Sequence, residues 1–217
     1  SVFTHSHYVS QRAKDAIADR FREKTGKRPS VDTENPDFKI NIHLSRNELN
    51  LSFDSSGDSL HKRGYHVSNA EAPLSEVLAA GMILLSGWDG RSTFIDPMCG
   101  SGTLLTEAAM IAMNLPAGYF RQDFGFMRWK DFNKPLWEDV LDESLEEQTD
   151  IEAEILGSDM SAQNLRSAEA NLKQARLHKD VRLSVSKLQD VVPPEGPGTL
   201  VTNPPYGERI QVDDIIE

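Results

Sequence analysis

The stretch "STFIDPMCGSGTLLTEAAMIAMN", beginning at Ser92, constrains the fold more than any other part of the chain. A short β-branched and aromatic run ends in an acid, a glycine-bearing loop follows, and an apolar-periodic helix begins at once. Strand, glycine loop and helix in that order form the unit from which parallel sheets with helical flanks are built. The neighbouring sequence keeps the same grammar. "PLSEVLAAGMILLSGWDG" reads as a helix entered at Pro73 and closed by Gly87. "EILGSD" is a strand ending in Asp159, followed by the helix "SAQNLRSAEANLKQA", and "RLSVS" is a strand that leads into "KLQD". "GTLVTN" is a fourth strand, delivering the chain to "TNPPYGER". The expected fold is therefore α/β, with a mostly parallel sheet. Between the glycine loop and Asp159 lies an insert, roughly residues 115–150, aromatic and then acidic. It reads either as a lid or as a solvated excursion, and its acidic tail "EDVLDESLEEQTD" favours the excursion.

The first 66 residues follow a different pattern. "SQRAKDAIADRFREKTG" predicts a helix with Ser10 as cap, Ala13, Ile17 and Phe21 on one stripe, and Gly26 as stop. "FKINIHL" and "NLSF" alternate apolar and polar residues around a polar turn and predict a hairpin. A helix and one hairpin make a marginal α+β unit that needs further strands or support from elsewhere. The two parts, residues 1–66 and 67–217, also differ in charge. The chain carries a net charge of −11, yet its first 66 residues sum to +2, so the other 151 carry −13. In the first helix and just after it, Arg12, Lys14, Arg20, Arg22, Lys24, Lys27 and Arg28 face only Asp15, Asp19 and Glu23. Such a segment suits contact with a polyanion, or simply forms a solvated helix face.

The chemistry starts at the glycine loop. Gly100 and Gly102 permit a tight turn at the carboxyl edge of the sheet, where open α/β folds bind ligands. The loop lacks the third glycine of a dinucleotide fingerprint and the Gly-Lys-Ser/Thr ending of a P-loop. Asp96, at the strand end, is wrong for cradling phosphate and right for a ligand bearing an ammonium group, of which S-adenosylmethionine is one. Asp159, ending the next strand, is placed to accept two ribose hydroxyls or to cap the helix that follows. Asp190, after the third strand, is placed to accept an adenine amino group or to remain a loop carboxylate.

"NPPY" follows the fourth strand. An exocyclic amine conjugated to a ring is a poor nucleophile because its lone pair is delocalised. With the side-chain oxygen of Asn203 and the carbonyl of Pro204 accepting its two N–H bonds, the nitrogen is held pyramidal and aimed. Pro204 and Pro205 keep that carbonyl still, and Tyr206 offers a ring face for a splayed-out base. No general base is required, since the proton becomes acidic once the nitrogen is methylated. A proline turn at a sheet edge is the bland alternative, weakened by the glycine loop roughly 100 residues earlier.

At these residues the chain resembles the class I, S-adenosylmethionine-dependent amino-methyltransferases with an "(N/D/S)PP(Y/F/W)" motif. "DPMCGSGTLLTEAAMIA", "GSDMS", "TNPPYGER" and the upstream "SGDSLHKRGYHVSNAEAPLSEVLAAGMILLSGW" narrow the resemblance to the bacterial THUMP-containing 23S rRNA guanine-N2 methyltransferases of the RlmL and YpsC type. The resemblance runs over nearly the whole chain. It implies a Rossmann-like class I methyltransferase sheet preceded by part of an RNA-binding THUMP domain, the chain being a fragment truncated at both ends. It implies that Asp96, Pro97, Gly100, Ser101, Gly102, Thr103, Asp159 and Asp190 hold the cofactor and that Asn203 to Tyr206 present the guanine amine. The segment from Ala72 to Glu76 is implied to lie beside the cofactor's methionine end. Large-subunit ribosomal RNA, naked or in an assembly intermediate, is the implied partner, and the basic first helix gains a reason to be basic.

Other amino-methyltransferases, acting on a tRNA guanine, on adenine N6 of DNA or on a protein glutamine, use the same four residues but leave the front unit unexplained. A non-catalytic RNA-binding module has no need of Asp96, Asp159, Asn203 and Tyr206 together. No membrane partner is expected, because the most apolar window, Val77 to Trp88, falls short of the roughly 20 residues a bilayer helix needs. The six histidines and the single cysteine form no metal-ligand spacing, and Cys99 reads as a small buried hydrophobe in a reducing, cytoplasmic setting.

Overall fold

A computed structural model describes residues 5–46, 48–67 and 74–205. They form two compact units, Ser1–Ser59 with Asp123–Lys134, and Leu60–Gln122 with Pro135–Glu217.

In the first unit, helix α1 spans Ser6–Thr25 and ends where Gly26 turns left-handed, at φ 72°, its amide donating to the carbonyl of Arg22. The predicted stop is thus found, but the helix starts a turn before Ser10, whose hydroxyl donates to the His7 carbonyl from inside it. Ala18 is its buried residue, while Phe21 is half exposed. Strands β1 (Lys39–Ser45) and β2 (Glu48–Asp54) pair antiparallel, setting Ile40 opposite Phe53, Ile42 opposite Leu51 and Leu44 opposite Leu49. Support comes from part of the insert. Trp129 stacks on Phe38 with ring centres 5.8 Å apart, and Phe53 meets both rings edge-on. The Phe126 amide donates to the Ser55 carbonyl, and a side chain added at Gly125 would sit 2.9 Å from the backbone of Gly57.

The second unit is built on four parallel strands, β3 (Thr93–Asp96), β4 (Ile155–Asp159), β5 (Val181–Val185) and β6 (Gly198–Leu200). Their spatial order is β5-β4-β3-β6. The chain steps outward from β3 through β4 to β5, then returns to the opposite side of β3, which makes the gap between the ends of β3 and β6 the switch point of the sheet. Helices α2 (Glu76–Leu85), α3 (Thr103–Ala112) and α5 (Ala162–Gln174) accompany it, with α3 packed on both α2 and α5. Pro73, predicted to open α2, lies outside the described residues; Ser75 is the N-cap. The core gathers Phe94, Ile155, Leu104, Leu105, Ala108, Ile83 and Leu172. The acidic tail of the insert is helical, forming α4 (Lys134–Glu146), which buries no residue. Its exit is tied back to the end of α3, Thr149 donating from its amide to the Met113 carbonyl.

Two glycines let α3 approach the sheet. A side chain at Gly157 of β4 would collide with Leu105. Gly102, at φ 80°, caps α3, and a β-carbon there would lie 3.0 Å from that of Ala168 on α5. Gly102→Ala combines a left-handed backbone with that crowding, so it should destabilise the protein by about 2 kcal/mol, read as a lowered urea midpoint at unchanged slope.

Candidate functional site

The site residues gather at the carboxyl ends of β3, β4 and β6. Asp96 is 1% exposed. Its Oδ1 accepts from the Met98 amide at 3.2 Å and from the Thr202 hydroxyl at 2.8 Å. The second bond crosses the switch point, because Thr202 follows β6, whose next residue, Val201, donates its amide to the Ile95 carbonyl. Asn203 therefore leaves the sheet one residue beyond a side chain pinned to Asp96. It is partly buried, Pro204 and Pro205 are exposed, and Tyr206 lies outside the described residues.

The glycine loop is closed by its own backbone and by the neighbouring strand. Gly102 donates to the Cys99 carbonyl, Cys99 to the Ser158 carbonyl, and the Ser158 hydroxyl to the carbonyl of buried Pro97. The Gly100 amide donates to Oδ2 of Asp159 at 3.0 Å. Asp159 is not the cap of α5. Ser161 takes that position, accepting from the Asn164 amide, while Oδ1 of Asp159 accepts from the Ser161 amide and from the Asn164 side chain. Oδ1 thus has two donors, while Oδ2 keeps a lone pair for another. Gly100, at φ 53°, has open space among the described residues where a side chain would project. Thr103 is buried at the first turn of α3, and its hydroxyl has no hydrogen-bond partner among the described residues. Ser101 is partly buried, and Asp190 lies exposed in a single 3-10 turn beyond β5.

Burial pushes Asp96 up to about 6, against the pull of its Thr202 and Met98 hydrogen bonds, and the nearby Asp159 adds to the rise. Burial, with those two carboxylates, also raises the Cys99 thiol and keeps it un-ionised. The arrangement suits a ligand that brings a positive charge and hydroxyl donors. Beneath the loop, Glu107 of α3 accepts from the Tyr65 hydroxyl at 2.9 Å and pairs with Arg63 at 3.4 Å. Burial raises Glu107 and Arg63 opposes the rise.

The basic residues of the first unit are less free than the sequence implies. Lys14 and Arg28 both pair with Asp15, Arg20 with Glu23 and Arg22 with Asp19. Arg12, Lys24 and Lys27 have no acidic partner among the described residues. Thr202 and Asn164 were not singled out from sequence. Thr202 stands just ahead of the proline pair, and Asn164 lies in the first turn of α5, five residues past the strand-end acid.

Fold and site together define a Rossmann-like class I methyltransferase sheet joined to an α+β front. Residues 63–216 match the family described as RMKL-like, methyltransferase domain, and residues 1–54 match the THUMP domain. The chain is 42% identical over 217 residues to the ribosomal RNA large subunit methyltransferase K/L of Magnetococcus marinus, covering 95% of this chain and 30% of that protein. It is 38% identical to a putative RNA methyltransferase of Synechocystis, covering 98% of this chain and 56% of that one. The crystal structure of SMU.472, a putative methyltransferase complexed with SAH, superposes with a TM-score of 0.82 at 38% identity, over 94% of this chain and 54% of that one. The chain belongs to the RMKL-like methyltransferase-domain family and spans a third to about half the length of these relatives.

Because Asp96 titrates higher in the folded than in the unfolded protein, its proton stabilises the fold at low pH, and that contribution is lost as pH rises from about 4 through about 6. Asp96→Asn should therefore raise the unfolding free energy at pH 7, by on the order of 3 kcal/mol. The difference from wild type should shrink below pH 6 and vanish near pH 4, as followed by urea titration across that range.

Proposed function

We propose that this chain carries the cofactor site and the amine-presenting motif of an S-adenosylmethionine-dependent methyltransferase, which acts on the exocyclic N2 amine of a guanine in large-subunit (23S) ribosomal RNA. The observation that carries this reading is the hydrogen bond from Thr202 to Asp96, which fixes the start of the Asn-Pro-Pro segment to the acid bordering the glycine loop. The residues fit the cofactor. Asp96 would hold an ammonium group, Asp159 keeps an Oδ2 lone pair for a ribose hydroxyl, and among the described residues Gly100 leaves room for close approach and the buried Thr103 hydroxyl has no hydrogen-bond partner. When bound, S-adenosylmethionine supplies an electrophilic methyl group on a sulfonium sulfur. Asn203 and the Pro204 carbonyl accept the two N–H bonds of the guanine amine and turn its lone pair toward that methyl group. The fixed φ of the prolines keeps the acceptors from relaxing away.

The substrate class rests on the THUMP-like front and on the relatives, whose names specify ribosomal RNA or RNA. Arg12, Lys24 and Lys27, with the paired cations of α1 and its exit, supply phosphate contacts that position the RNA without reading its sequence.

Calorimetric titration with S-adenosylhomocysteine tests the cofactor site: wild type should bind, and Asp159→Ala should bind at least about tenfold more weakly. Equal affinity in the two would remove Asp159 from the site, and no binding by wild type would refute the cofactor assignment. In the full-length protein, Asn203→Ala should abolish methyl transfer to protein-free 23S rRNA while S-adenosylhomocysteine affinity stays within about twofold. Undiminished transfer would sink the amine-holding role.

A further inference from the structure

Asn171, on α5, is fully buried and was not drawn into the site from sequence. Its side-chain Nδ2 donates to the Ser101 carbonyl of the glycine loop at 3.0 Å. The same nitrogen lies 3.3 Å from Nδ1 of His66, and Oδ1 accepts from the Val67 amide at 3.0 Å. These partners leave one orientation of the amide. A carbonyl only accepts and a backbone amide only donates, so oxygen must face Val67 and nitrogen must face Ser101. His66 Nδ1 then has to accept, which needs the neutral ring, and burial keeps the ring below its ordinary pKa.

Residues 63–67 are thus tied down at four points. Arg63 and Tyr65 are held by Glu107 of α3, and His66 and Val67 by Asn171, while His66 Nε2 lies 3.4 Å from the buried Glu76 carboxylate of α2 without hydrogen-bonding it. Asn171 hydrogen-bonds both the strap and the glycine loop. Replacing it would take the side-chain partner from two part-buried hydrogen bonds at once, that of the Ser101 carbonyl and that of the Val67 amide.

We propose that Asn171 is a positioning residue for the cofactor loop: its single amide sets the Gly100–Gly102 turn through Ser101 and couples that turn to the 63–67 strap. This inference rests on the reading that the loop receives S-adenosylmethionine. Cofactor bound at the turn steadies the strap, and a steadied strap favours the turn, because both states share one hydrogen-bonding group. Asn171 touches no reacting atom. Its part is to keep the loop in the conformation that Asp96 and Asp159 border.

The test compares wild type, Asn171→Asp and Asn171→Ser, at a temperature where each is folded, with Leu177→Ala as an equally buried core variant away from the loop. Asn171→Asp keeps the acceptor for Val67 and loses the donor for Ser101; Asn171→Ser loses reach to both without adding charge. Hydrogen exchange of the ligand-free proteins should show the Gly100 and Gly102 amides exchanging about tenfold faster in both Asn171 variants, with the Val67 amide also faster in Asn171→Ser, and the strand amides of β3 and β4 unchanged. S-adenosylhomocysteine affinity should fall by about tenfold in both and stay at the wild-type value in Leu177→Ala. Unchanged loop exchange in the Asn171 variants, or the same loop exchange and affinity loss in Leu177→Ala, would overturn the inference. A wild type that fails to bind S-adenosylhomocysteine would refute the cofactor reading, while the exchange comparison would still decide the role of Asn171.

Discussion

A buried carboxylate at the switch point organises the second unit. Asp96 ends the central strand β3, is almost wholly removed from water, and spends one oxygen on a loop amide and on the hydroxyl that follows β6. The strands on either side of the gap are thereby joined by a side chain as well as by the backbone ladder. The arrangement works against stability, since burial and the neighbouring Asp159 both disfavour the charge. A fold that holds two acids beside an open turn is poised for a positively charged ligand, and ligand charge relieves the repulsion that the protein alone cannot.

The glycines and the acids divide the work of shaping this edge. Gly102 and Gly157 are set by packing, because α5 and α3 come too close for any side chain. Gly100 is different: among the described residues nothing lies within 4 Å of where its β-carbon would be, while its amide is held by Asp159. The loop is thus fastened on one side and leaves room for a ligand on the other. Beneath it, the buried Glu107, Tyr65 and Arg63 cluster and the amide of Asn171 satisfy polar groups that would otherwise weaken the support.

Much of this was legible in the sequence because the strands of the second unit are bounded by acids or glycines and each helix follows immediately. The strand ends at Asp96 and Asp159, the Gly26 stop of α1 and the hairpin itself follow from local rules, though Ser45 and Glu48, read as the turn, are paired strand residues. What local rules missed depended on distant partners. The acidic tail of the insert suggested a solvated excursion, and α4 indeed buries nothing; its helical form and the tie at its exit to the Met113 carbonyl had no local signal. The aromatic half of the insert gave no sign that Trp129 would stack on Phe38. Asn171 read as one more polar residue of an amphipathic helix, because its partners lie 70 and 104 positions away. For Asp159 the sequence offered a ribose acceptor or a helix cap, and Ser161 takes the cap position.

The hairpin's dependence on residues from the insert has a consequence for how the protein is made. The rings of Phe38 and Phe53 find Trp129 only after an intervening stretch that includes β3 and α3. During synthesis the first unit therefore cannot finish folding once Ser59 has been made, and must wait for Asp123–Lys134. Closing so long a loop makes this a slow, late event. Until it occurs, the apolar side chains of β1 and β2 are available to any other strand or chaperone the nascent chain meets.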